Sequence, residues 1–339
     1  MFIILAATAA HASWPYRCSA QTNASEVATL IDGSARTLLV TGADGHMGLW
    51  IVRACVLANA SVILSCKQTE ACETTAAQTR RLFPLARLHT VAVDLSDFQS
   101  VRAGAASVLA LGGIDTIVHN AGCTGCSALT VDGFVGDVQI NHLAPALLTN
   151  LLEQGMPGKL KKVVTVASGS GYGPFYVAGQ HHAASANTSV DTVAEWVQNA
   201  SALDERSFSS YSLSKFLSIQ YAHHLAAAPF VSVAVNPGFS RSNTSLPCPS
   251  IIKFRPCPQH PSQGAAVVAF AALYSVDGMS GSLLDYETVV NTSPPSWHQQ
   301  GFNCIPRPLP AWLAETEARR WSDAERSSWA KYVQEFIRR

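Results

Sequence analysis

The chain has 339 residues, of which 48% are hydrophobic and 14% charged, so it can form one sizeable core and is not extensively disordered. Basic and acidic residues both number 23, which gives a formal net charge of zero. A nucleic-acid partner is therefore not expected, because such proteins carry a basic surplus.

Residues 1–36 have no strong hydrophobic period and are predicted to be a leader. Residues 1–12 are apolar and end in Ala10-His11-Ala12, which is similar to a signal-peptide cleavage site, but they lack a basic start and are shorter than a membrane span. Two interpretations stay open. The protein is cytoplasmic, which is favoured, or it enters the secretory pathway with the terminus as a signal, anchor or peripheral membrane contact.

Short apolar and β-branched runs then recur, with helix-length segments between them. The predicted strands are Thr37–Val40, Ser61–Leu64, Leu88–Val93, Ile114–Val118, Lys162–Val166, Val231–Val235 and Gly281–Tyr286. Continuous apolar runs that alternate with helices are typical of a parallel sheet covered on both faces. The pattern predicts an α/β fold, a Rossmann-type doubly wound sheet of about seven strands in one domain over residues 37–322.

Three polar or proline-rich stretches interrupt this rhythm, at residues 172–206, 242–262 and 291–310. The first is interpreted as an insertion into the domain. Cys248 and Cys257 flank a proline-rich loop and would form a disulfide only in an oxidising compartment.

The last segment begins with a capping-box pattern, Ser322-Asp-Ala-Glu325. Apolar residues follow at helical spacing, namely Trp329, Val333, Phe336 and Ile337. An amphipathic helix is therefore predicted over residues 323–339. It either packs on the domain or forms a membrane-surface or dimer contact.

A glycine-rich turn, Thr41 to Gly48, joins the first strand to a helix predicted from Met47 to Ala58. Gly42 permits a tight turn, Gly45 lets backbone approach a pyrophosphate, and Gly48 lets the helix pack closely, while the helix N-terminus attracts phosphate. An ordinary strand-to-helix turn is the alternative. The predicted cofactor contacts here are Thr41, Gly42, Asp44, Gly45, His46, Met47 and Gly48.

Tyr211 and Lys215 are four residues apart, so both side chains lie on one face of a helix. A phenol beside a fixed cation can lose its proton more easily than a phenol alone. Such pairs are common on helix surfaces, but Asn141 and Ser168 precede this one and complete a candidate catalytic set.

Nine cysteines are spread along the chain. Cys55 and Cys66 lie in apolar runs and are interpreted as core residues. Cys123 and Cys126 form a CxxC, but a zinc site is disfavoured because there is no second such pair and no histidine pair at ligand spacing. A redox role lacks the helix-start context of thioredoxin-like sites.

Taken in order, these motifs resemble the short-chain dehydrogenase/reductase family from about residue 37 to 322. The matching motifs are Thr41–Gly48, Asp94-Leu95, Asn120-Ala121-Gly122, Asn141, Ser168, Tyr211/Lys215 and Pro237-Gly238. The chain is most similar to the retinol-dehydrogenase-like branch, on the segments Ser100-Val-Arg102, Asp132-Gly-Phe134, Asn141-His-Leu143 and Leu147–Leu152.

The resemblance implies hydride transfer between a nicotinamide and a carbonyl or alcohol carbon. Tyr211 would give or take the oxygen-bound proton. Lys215, with the charge of the oxidised nicotinamide, would lower the pKa of Tyr211 and hold the nicotinamide ribose. Ser168 would hydrogen-bond the substrate oxygen, and Asn141 would support Lys215 through a water-mediated relay.

The resemblance also implies further cofactor contacts. Asp94, with Leu95, would receive the adenine amino group, although Asp94 could instead cap the next helix, a task open to Ser96 or Asp97 as well. The segment Asn120-Ala121-Gly122 would line the ribose side, and Pro237-Gly238 would close the nicotinamide side.

The cofactor preference is argued from charge at the end of the second strand. NAD(H) usually requires a carboxylate there, whereas a 2′-phosphate requires a cation. The chain reads Ser65-Cys66-Lys67, with no carboxylate before Glu70. Lys67 therefore favours NADP(H) over NAD(H), the alternative being a solvated surface lysine.

The chain departs from the family pattern at several positions. His46 stands where the usual turn has glycine, His119 where a first asparagine is common, and Ser242 where a threonine usually follows the Pro-Gly pair. Ser168 and Tyr211 are 43 residues apart in numbering, well above the family's usual spacing, which places the 172–206 insertion beside the site.

The branch accepts retinoids, steroids and other hydrophobic carbonyls, so a small hydrophobic carbonyl or alcohol is the expected substrate. Phe175, Tyr176, Trp196 and Phe239 either line an apolar cleft or pack the insertion. Family members often form homodimers through the helices that bear the asparagine and the tyrosine, so a homodimer is open to this chain by analogy alone, and the sequence does not determine the oligomeric state.

A second function class stays open, a catalytically quiet nucleotide-binding module that acts as a sensor or scaffold. His46 and the insertion favour it, whereas the intact Ser168, Tyr211 and Lys215 favour the enzyme.

Overall fold

A computed structural model describes residues 22–172, 190–198, 207–240, 259–274, 280–281, 283–285 and 321–338. Seven strands of these residues form one parallel sheet in the order β3-β2-β1-β4-β5-β6-β7. The strands are β1 Thr37–Thr41, β2 Ser61–Cys66, β3 Leu88–Ala92, β4 Thr116–His119, β5 Lys162–Val166, β6 Val231–Asn236 and β7 Leu283–Asp285. The order confirms the predicted doubly wound sheet, and its direction reverses between β1 and β4, where such folds bind ligands.

Helices cover both faces of the sheet. Those described are α1 Ala24–Ala28, α2 His46–Leu57, α3 Thr69–Leu82, α4 Phe98–Ala110, α5 Ala144–Gly155, α6 Val190–Trp196, α7 Ser207–His224, α8 Pro261–Leu273 and α9 Asp323–Arg338. A short helical turn at Gly136–Val138 and a π-helical turn at Gln139–Leu143 lead directly into α5.

Alternate residues of β1 to β5 supply two separate cores. Leu38 and Val40 of β1 belong to the cluster beneath α1, α2 and α8, whereas Leu39 between them belongs to the cluster beneath α4, α5, α7 and α9. All three are fully buried. This alternation follows from the two-residue period of a strand, and it holds the carboxyl ends of the strands rigidly in line.

The start of the folded domain lies earlier than the sequence predicts. Residues 22–36, assigned above to the leader, include α1, which Asn23 and Glu26 cap reciprocally. Its Ala24, Val27 and Ala28 are buried in the first core. The helix is too short to show a period in sequence, and the prediction for residues 1–21 lies outside the described residues.

The C-terminal helix packs on the domain, the first of its two interpretations. The predicted capping box is present, with the Ser322 hydroxyl accepting from the Glu325 amide at 3.2 Å. The apolar residues of α9 face the second core, and Trp329 is 1% exposed. Its indole Nε1 donates to His142 Nε2 at 2.9 Å, so α9 is fastened beside the segment that carries Asn141.

The described part of the 172–206 insertion also packs on α9. The Tyr332 hydroxyl donates to Asp191 of α6 at 2.6 Å. Trp196 lies partly buried against the second core, which favours its packing interpretation over a place in a cleft. Phe175 and Tyr176 lie outside the described residues.

A disulfide joins Cys66 at the end of β2 to Cys72 in the first turns of α3. The prediction of Cys66 as an ordinary core cysteine is therefore wrong in part, since it is buried but bonded. Cys55 is a buried free cysteine, as predicted, and Cys248 and Cys257 lie outside the described residues. Within the described part of the chain, no helix has both the length and the apolar character to cross a bilayer.

Candidate active site

The glycine turn is shaped by close backbone contacts. Gly42 has a φ of +59°, a left-handed conformation that suits glycine. A Cβ on Gly48 would lie 2.1 Å from the Gly42 carbonyl oxygen, so only glycine permits α2 to start so close to β1. By contrast, a Cβ on Gly45 would meet only the Gly42 oxygen, at 3.2 Å, which leaves the outer side of the turn open.

The first turn of α2 presents free backbone amides at this opening. Gly45 is the N-cap and makes no side-chain capping bond. The amides of His46, Met47 and Gly48 have no backbone acceptor among the described residues, whereas Leu49 already bonds to the Gly45 carbonyl at 3.0 Å. Unpaired amides and the positive end of the helix dipole form a site for phosphate. His46 and Asp44 are exposed beside it.

Asn120 holds the turn in place. Its Nδ2 donates to the carbonyls of Thr41 and Gly42 at 3.0 and 3.1 Å, while its own amide and that of Ala121 donate to the Thr41 hydroxyl at 3.0 Å each. The Asn120 side chain thus faces the glycine turn. Of the segment predicted to line the ribose, the exposed part is Gly122.

Asp94 and Lys67 meet at the ends of β3 and β2. The Lys67 Nζ lies 3.0 Å from Asp94 Oδ2, and Asp94 Oδ1 accepts from the Ser96 amide and hydroxyl at 2.9 and 2.6 Å. Burial acts to raise the pKa of Asp94, but the hydrogen bonds from Ser96 and the charge of Lys67 together lower it. Asp97 caps α4 by accepting from the Gln99 amide at 2.8 Å, so Asp94 is not the cap.

Two smaller predicted contacts flank the opening. Leu95 is buried, and its carbonyl accepts from Gln139 Nε2 at 3.4 Å. Pro237 and Gly238 follow β6, where Gly238 has a φ of +70° and its amide donates to Asn236 Oδ1 at 3.1 Å. All these residues lie at the carboxyl end of the sheet.

Tyr211, Lys215 and Ser168 come together as the sequence predicts. The hydroxyl of Ser168 hydrogen-bonds to the Tyr211 hydroxyl, as does that of Thr124. Lys215 Nζ lies 5.7 Å from the centre of the Tyr211 ring. Thr124 was not among the predicted residues, and nothing in the CxxC motif that contains it indicates a contact with Tyr211.

Lys215 is not among the groups that shift the pKa of Tyr211, so the expected lowering by Lys215 together with the charge of oxidised nicotinamide stays a prediction. Burial raises the pKa of Tyr211, the hydrogen bonds from Ser168 and Thr124 oppose that rise, and the nearby Asp137 adds to it. The Lys215 ammonium instead donates to the Val166 carbonyl at 2.8 Å. The phenol is therefore protonated at neutral pH and has a proton to donate.

Lys215 itself is almost fully buried, and burial lowers its pKa to about 8. The nearby Cys123 and Asp137 oppose the shift. The Lys215 ammonium is thus held inside the site at a cost in desolvation. A side chain that served only packing would not need this charge.

Asn141 organises the loop after β4. Its Nδ2 donates to the Cys123 carbonyl and to the Ser214 hydroxyl at 2.9 Å each, and its Oδ1 accepts from the Cys123 amide at 2.9 Å. A Cβ on Gly122 would lie 2.9 Å from Asn141 Oδ1 and 3.5 Å from Lys215 Nζ, so Gly122 separates the two side chains. The predicted relay to Lys215 through water stays a prediction.

Two buried histidines lie behind the site. His119 stands where a first asparagine is common in the family. Its Nε2 pairs with the Thr149 hydroxyl at 2.8 Å, and burial lowers its pKa to about 3. Burial likewise lowers the pKa of His142 to about 3, consistent with a neutral ring that accepts from Trp329. Both rings are neutral at physiological pH and support the fold.

Comparison with known proteins agrees with this geometry. Residues 36–195 match the family model described as short chain dehydrogenase. The chain is 30% identical over 155 residues to the short-chain dehydrogenase TIC 32 B of Brassica napus, covering 42% of this chain and 48% of that protein. It is 32% identical over 119 residues to human retinol dehydrogenase 13, covering 34% and 36%. The matches span less than half the length of these relatives.

Solved structures show the same fold at low identity. An uncharacterized protein from Mycobacterium Paratuberculosis is 22% identical, with a TM-score of 0.65 over 92% of this chain and 97% of that one. A short chain dehydrogenase from Burkholderia cenocepacia J2315, solved in complex with NADP, is 19% identical, with a TM-score of 0.56 over 75% and 97%.

Proposed function

We propose that the chain, which matches the short chain dehydrogenase family model over residues 36–195, is an NADP(H)-dependent oxidoreductase that interconverts a hydrophobic alcohol and its aldehyde or ketone. The arrangement of Tyr211 supports this most directly. Its hydroxyl is hydrogen-bonded to Ser168, and the centre of its ring lies 5.7 Å from the Nζ of buried Lys215. A module that only binds a nucleotide has no need to keep Ser168, Tyr211 and Lys215 together.

The residues at the carboxyl end of the sheet fit a dinucleotide. The free amides of His46, Met47 and Gly48 would hold the pyrophosphate, and the open side of Gly45 leaves room for it. Asp94, with the Ser96 hydroxyl beside it, would meet the adenine end. When bound, NADP(H) supplies or accepts the hydride at its nicotinamide ring.

The side chains of this site then divide the remaining work. In carbonyl reduction, the protonated Tyr211 donates its proton to the substrate oxygen. Ser168 also hydrogen-bonds that oxygen and stabilises the negative charge that develops on it. Lys215 places a positive charge beside the phenol and favours the phenolate left after proton transfer. Asn141 holds the loop after β4 so that Gly122 stays beside Lys215.

Lys67 supports the choice of NADP(H). Its side chain is 67% exposed and forms an ion pair with Asp94 at the end of β2, where the sequence places no carboxylate before Glu70. A 2′-phosphate would meet the ammonium there. The Cys66–Cys72 disulfide brackets Lys67 in sequence and limits the movement of its loop.

The proposed substrate is hydrophobic because the described rim of the site is partly apolar. Phe239 follows the Pro-Gly pair after β6 and is 46% exposed, which is high for a phenylalanine. It is well placed to contact a substrate on the nicotinamide side. The hydrophobic substrate class of the retinol-dehydrogenase-like relatives agrees with this placement.

A panel of hydrophobic aldehydes, ketones and alcohols, followed by the absorbance of reduced nicotinamide, tests the proposal. We expect turnover of at least one hydrophobic carbonyl with NADPH. Tight NADPH binding without turnover of any panel member would favour the sensor or scaffold function instead.

The cofactor assignment has its own test in Lys67→Glu. We expect NADPH to bind at least tenfold more weakly while NADH binding changes little, because only NADPH has the 2′-phosphate. Binding is measured by quenching of tryptophan fluorescence. The matched control is Lys331→Glu, which makes the same charge change on the exposed side of α9. If the ratio of NADPH to NADH affinity is unchanged in the Lys67 variant, Lys67 does not determine the cofactor preference.

A further inference from the structure

The CxxC motif has no part in the proposed reaction, and it lies against the buried carboxylate of Asp137. The thiol sulfurs of Cys123 and Cys126 and a carboxylate oxygen of Asp137 all lie within 4.8 Å of one another. The Cys123 Sγ is 3.4 Å from Asp137 Oδ1. Sequence alone disfavoured a zinc site because no further ligand pair is visible, and the fold supplies the third ligand from a separate helical turn.

Asp137 is fully buried, and among the described residues the nearby Lys215 interacts with its charge without forming an ion pair with it. Its partners are the Cys123 thiol, the Cys126 amide at 3.2 Å and the Ser210 hydroxyl at 2.5 Å. Within the described residues, no lysine, arginine or histidine nitrogen lies within 4.0 Å of its oxygens. Buried carboxylates are usually hydrogen-bonded, ion-paired or bound to a metal, and this one is aimed at two thiols.

The backbone holds the two thiols and the carboxylate in register. The Asp137 amide donates to the Cys126 carbonyl at 2.8 Å, while the Cys126 amide returns a bond to the Asp137 side chain. A Cβ on Gly136 would lie 2.6 Å from the Cys126 carbonyl oxygen, so glycine is needed for this approach. Gly125, between the cysteines, has a φ of +81° and turns the loop back.

The spacing fits a tetrahedral ion that prefers sulfur. Bond lengths of about 2.3 Å to sulfur and about 2.0 Å to oxygen place the two ligands about 3.5 Å apart at the tetrahedral angle. The Cys123–Asp137 separation of 3.4 Å agrees with that value. Two thiolates and one carboxylate suit Zn²⁺ better than Mg²⁺ or Ca²⁺, which prefer oxygen ligands alone.

We propose that Cys123, Cys126 and Asp137 form a Zn²⁺ site, with the fourth position of the tetrahedron left to water. Binding replaces two S–H bonds by two Zn–S bonds and releases two protons. No oxidant is required. A disulfide between the cysteines would not involve Asp137. The carboxylate, oriented by its hydrogen bond from Ser210, therefore favours a metal site over a disulfide.

The ion would stiffen the loop that serves the active site. The backbone amide and carbonyl of Cys123 each bond to the Asn141 side-chain amide, and Gly122 precedes Cys123. Zinc would therefore bind the Cys123 side chain, while the Asn141 side chain bonds to the Cys123 backbone.

Cobalt is the probe, because Co²⁺ takes the same ligands and has visible absorption. The full-length protein, reduced and freed of metal with a chelator, is titrated with Co²⁺ and then with Zn²⁺. We expect one Co²⁺ per chain, intense tetrahedral bands, a thiolate-to-cobalt charge-transfer band, and full displacement by Zn²⁺. Two protons should be released per metal.

Two variants and one control locate the site. Cys126→Ser and Asp137→Asn should each weaken Co²⁺ binding at least tenfold, and Cys126→Ser should also diminish the charge-transfer band. Cys55→Ala removes a buried free cysteine of α2 and should leave the titration unchanged. Thermal melts check folding, and if Asp137→Asn is unfolded, Cys123→Ser takes its place. A parent without the charge-transfer band, or a Cys126→Ser variant that binds like the parent, would overturn the proposal.

Discussion

At the scale of the residue, Lys215 shows that the site is built at a cost in stability. The side chain is 5% exposed, and burial lowers its pKa to about 8 from 10.5. Its hydrogen bond to the Val166 carbonyl compensates only part of the lost hydration. A lysine retained under these conditions points to a requirement for charge at that position.

Lys215→Met should raise the free energy of unfolding by about 1–3 kcal/mol near pH 7, because it removes a buried charge. In the parent, the unfolded chain binds more protons between pH 8 and 10.5, so stability rises with pH across that window. Urea unfolding at several pH values measures both effects. The advantage of the variant should shrink as pH rises towards 10.5, while Lys331→Met shows no such trend. A variant less stable than the parent near pH 7 would contradict the assignment.

The residue scale also shows what sequence can and cannot supply about the site. The order of Asn141, Ser168, Tyr211 and Lys215 was enough to predict that Ser168, Tyr211 and Lys215 meet. The raised pKa of Tyr211 was not predictable, because it depends on burial by segments distant in sequence. The contact between Cys126 and Asp137 likewise depends on the fold.

At the scale of the element, the turn between β2 and α3 affects both the stability of the fold and the binding of the cofactor. Cys66 and Cys72 bond across the turn that contains Lys67. β2 and α3 were predictable in outline from the apolar run and helix-length segment. The bond was not, because each cysteine on its own fits a buried position in a strand or helix.

Cys72→Ser should lower the free energy of unfolding by roughly 2 kcal/mol, the value for a short closed loop. It should also weaken NADPH binding more than NADH binding, because the loop with Lys67 gains freedom. Thermal melts and fluorescence titrations measure the two effects, with Cys55→Ala as the control. The parent treated with a reductant should behave like the variant. Equal melting of oxidised parent and variant would show that the bond does not stabilise the fold.

At the scale of the whole molecule, α9 closes the second core and reaches the site. Trp329 is almost fully buried, stacks on His142 and donates to it, one residue from Asn141. The apolar spacing of α9 predicted the helix, and the packing partner could not be predicted from it. The doubly wound sheet was predictable because buried parallel strands are continuous apolar runs, whereas α1 at residues 24–28 is too short for such a signal.

Trp329→Ala should lower the free energy of unfolding by about 3–5 kcal/mol, the usual cost of deleting a buried aromatic ring. Turnover should also fall, because His142 loses its partner beside Asn141. Urea unfolding provides the first measurement, with Tyr332→Phe as a control that removes only a hydroxyl from a partly buried ring of α9 and costs far less. A loss below about 1 kcal/mol would mean that α9 is only loosely attached.

Tyr211→Phe removes the hydroxyl that we propose as the proton donor of carbonyl reduction. The variant keeps the ring and loses only the hydroxyl, while Tyr221→Phe makes the same change on α7 away from the site. We measure NADPH binding by fluorescence and carbonyl reduction by the absorbance of reduced nicotinamide. The account predicts that Tyr211→Phe binds NADPH within about threefold of the parent and loses at least about a hundredfold in turnover, whereas Tyr221→Phe keeps both. Carbonyl reduction by Tyr211→Phe at the parent's rate would contradict it.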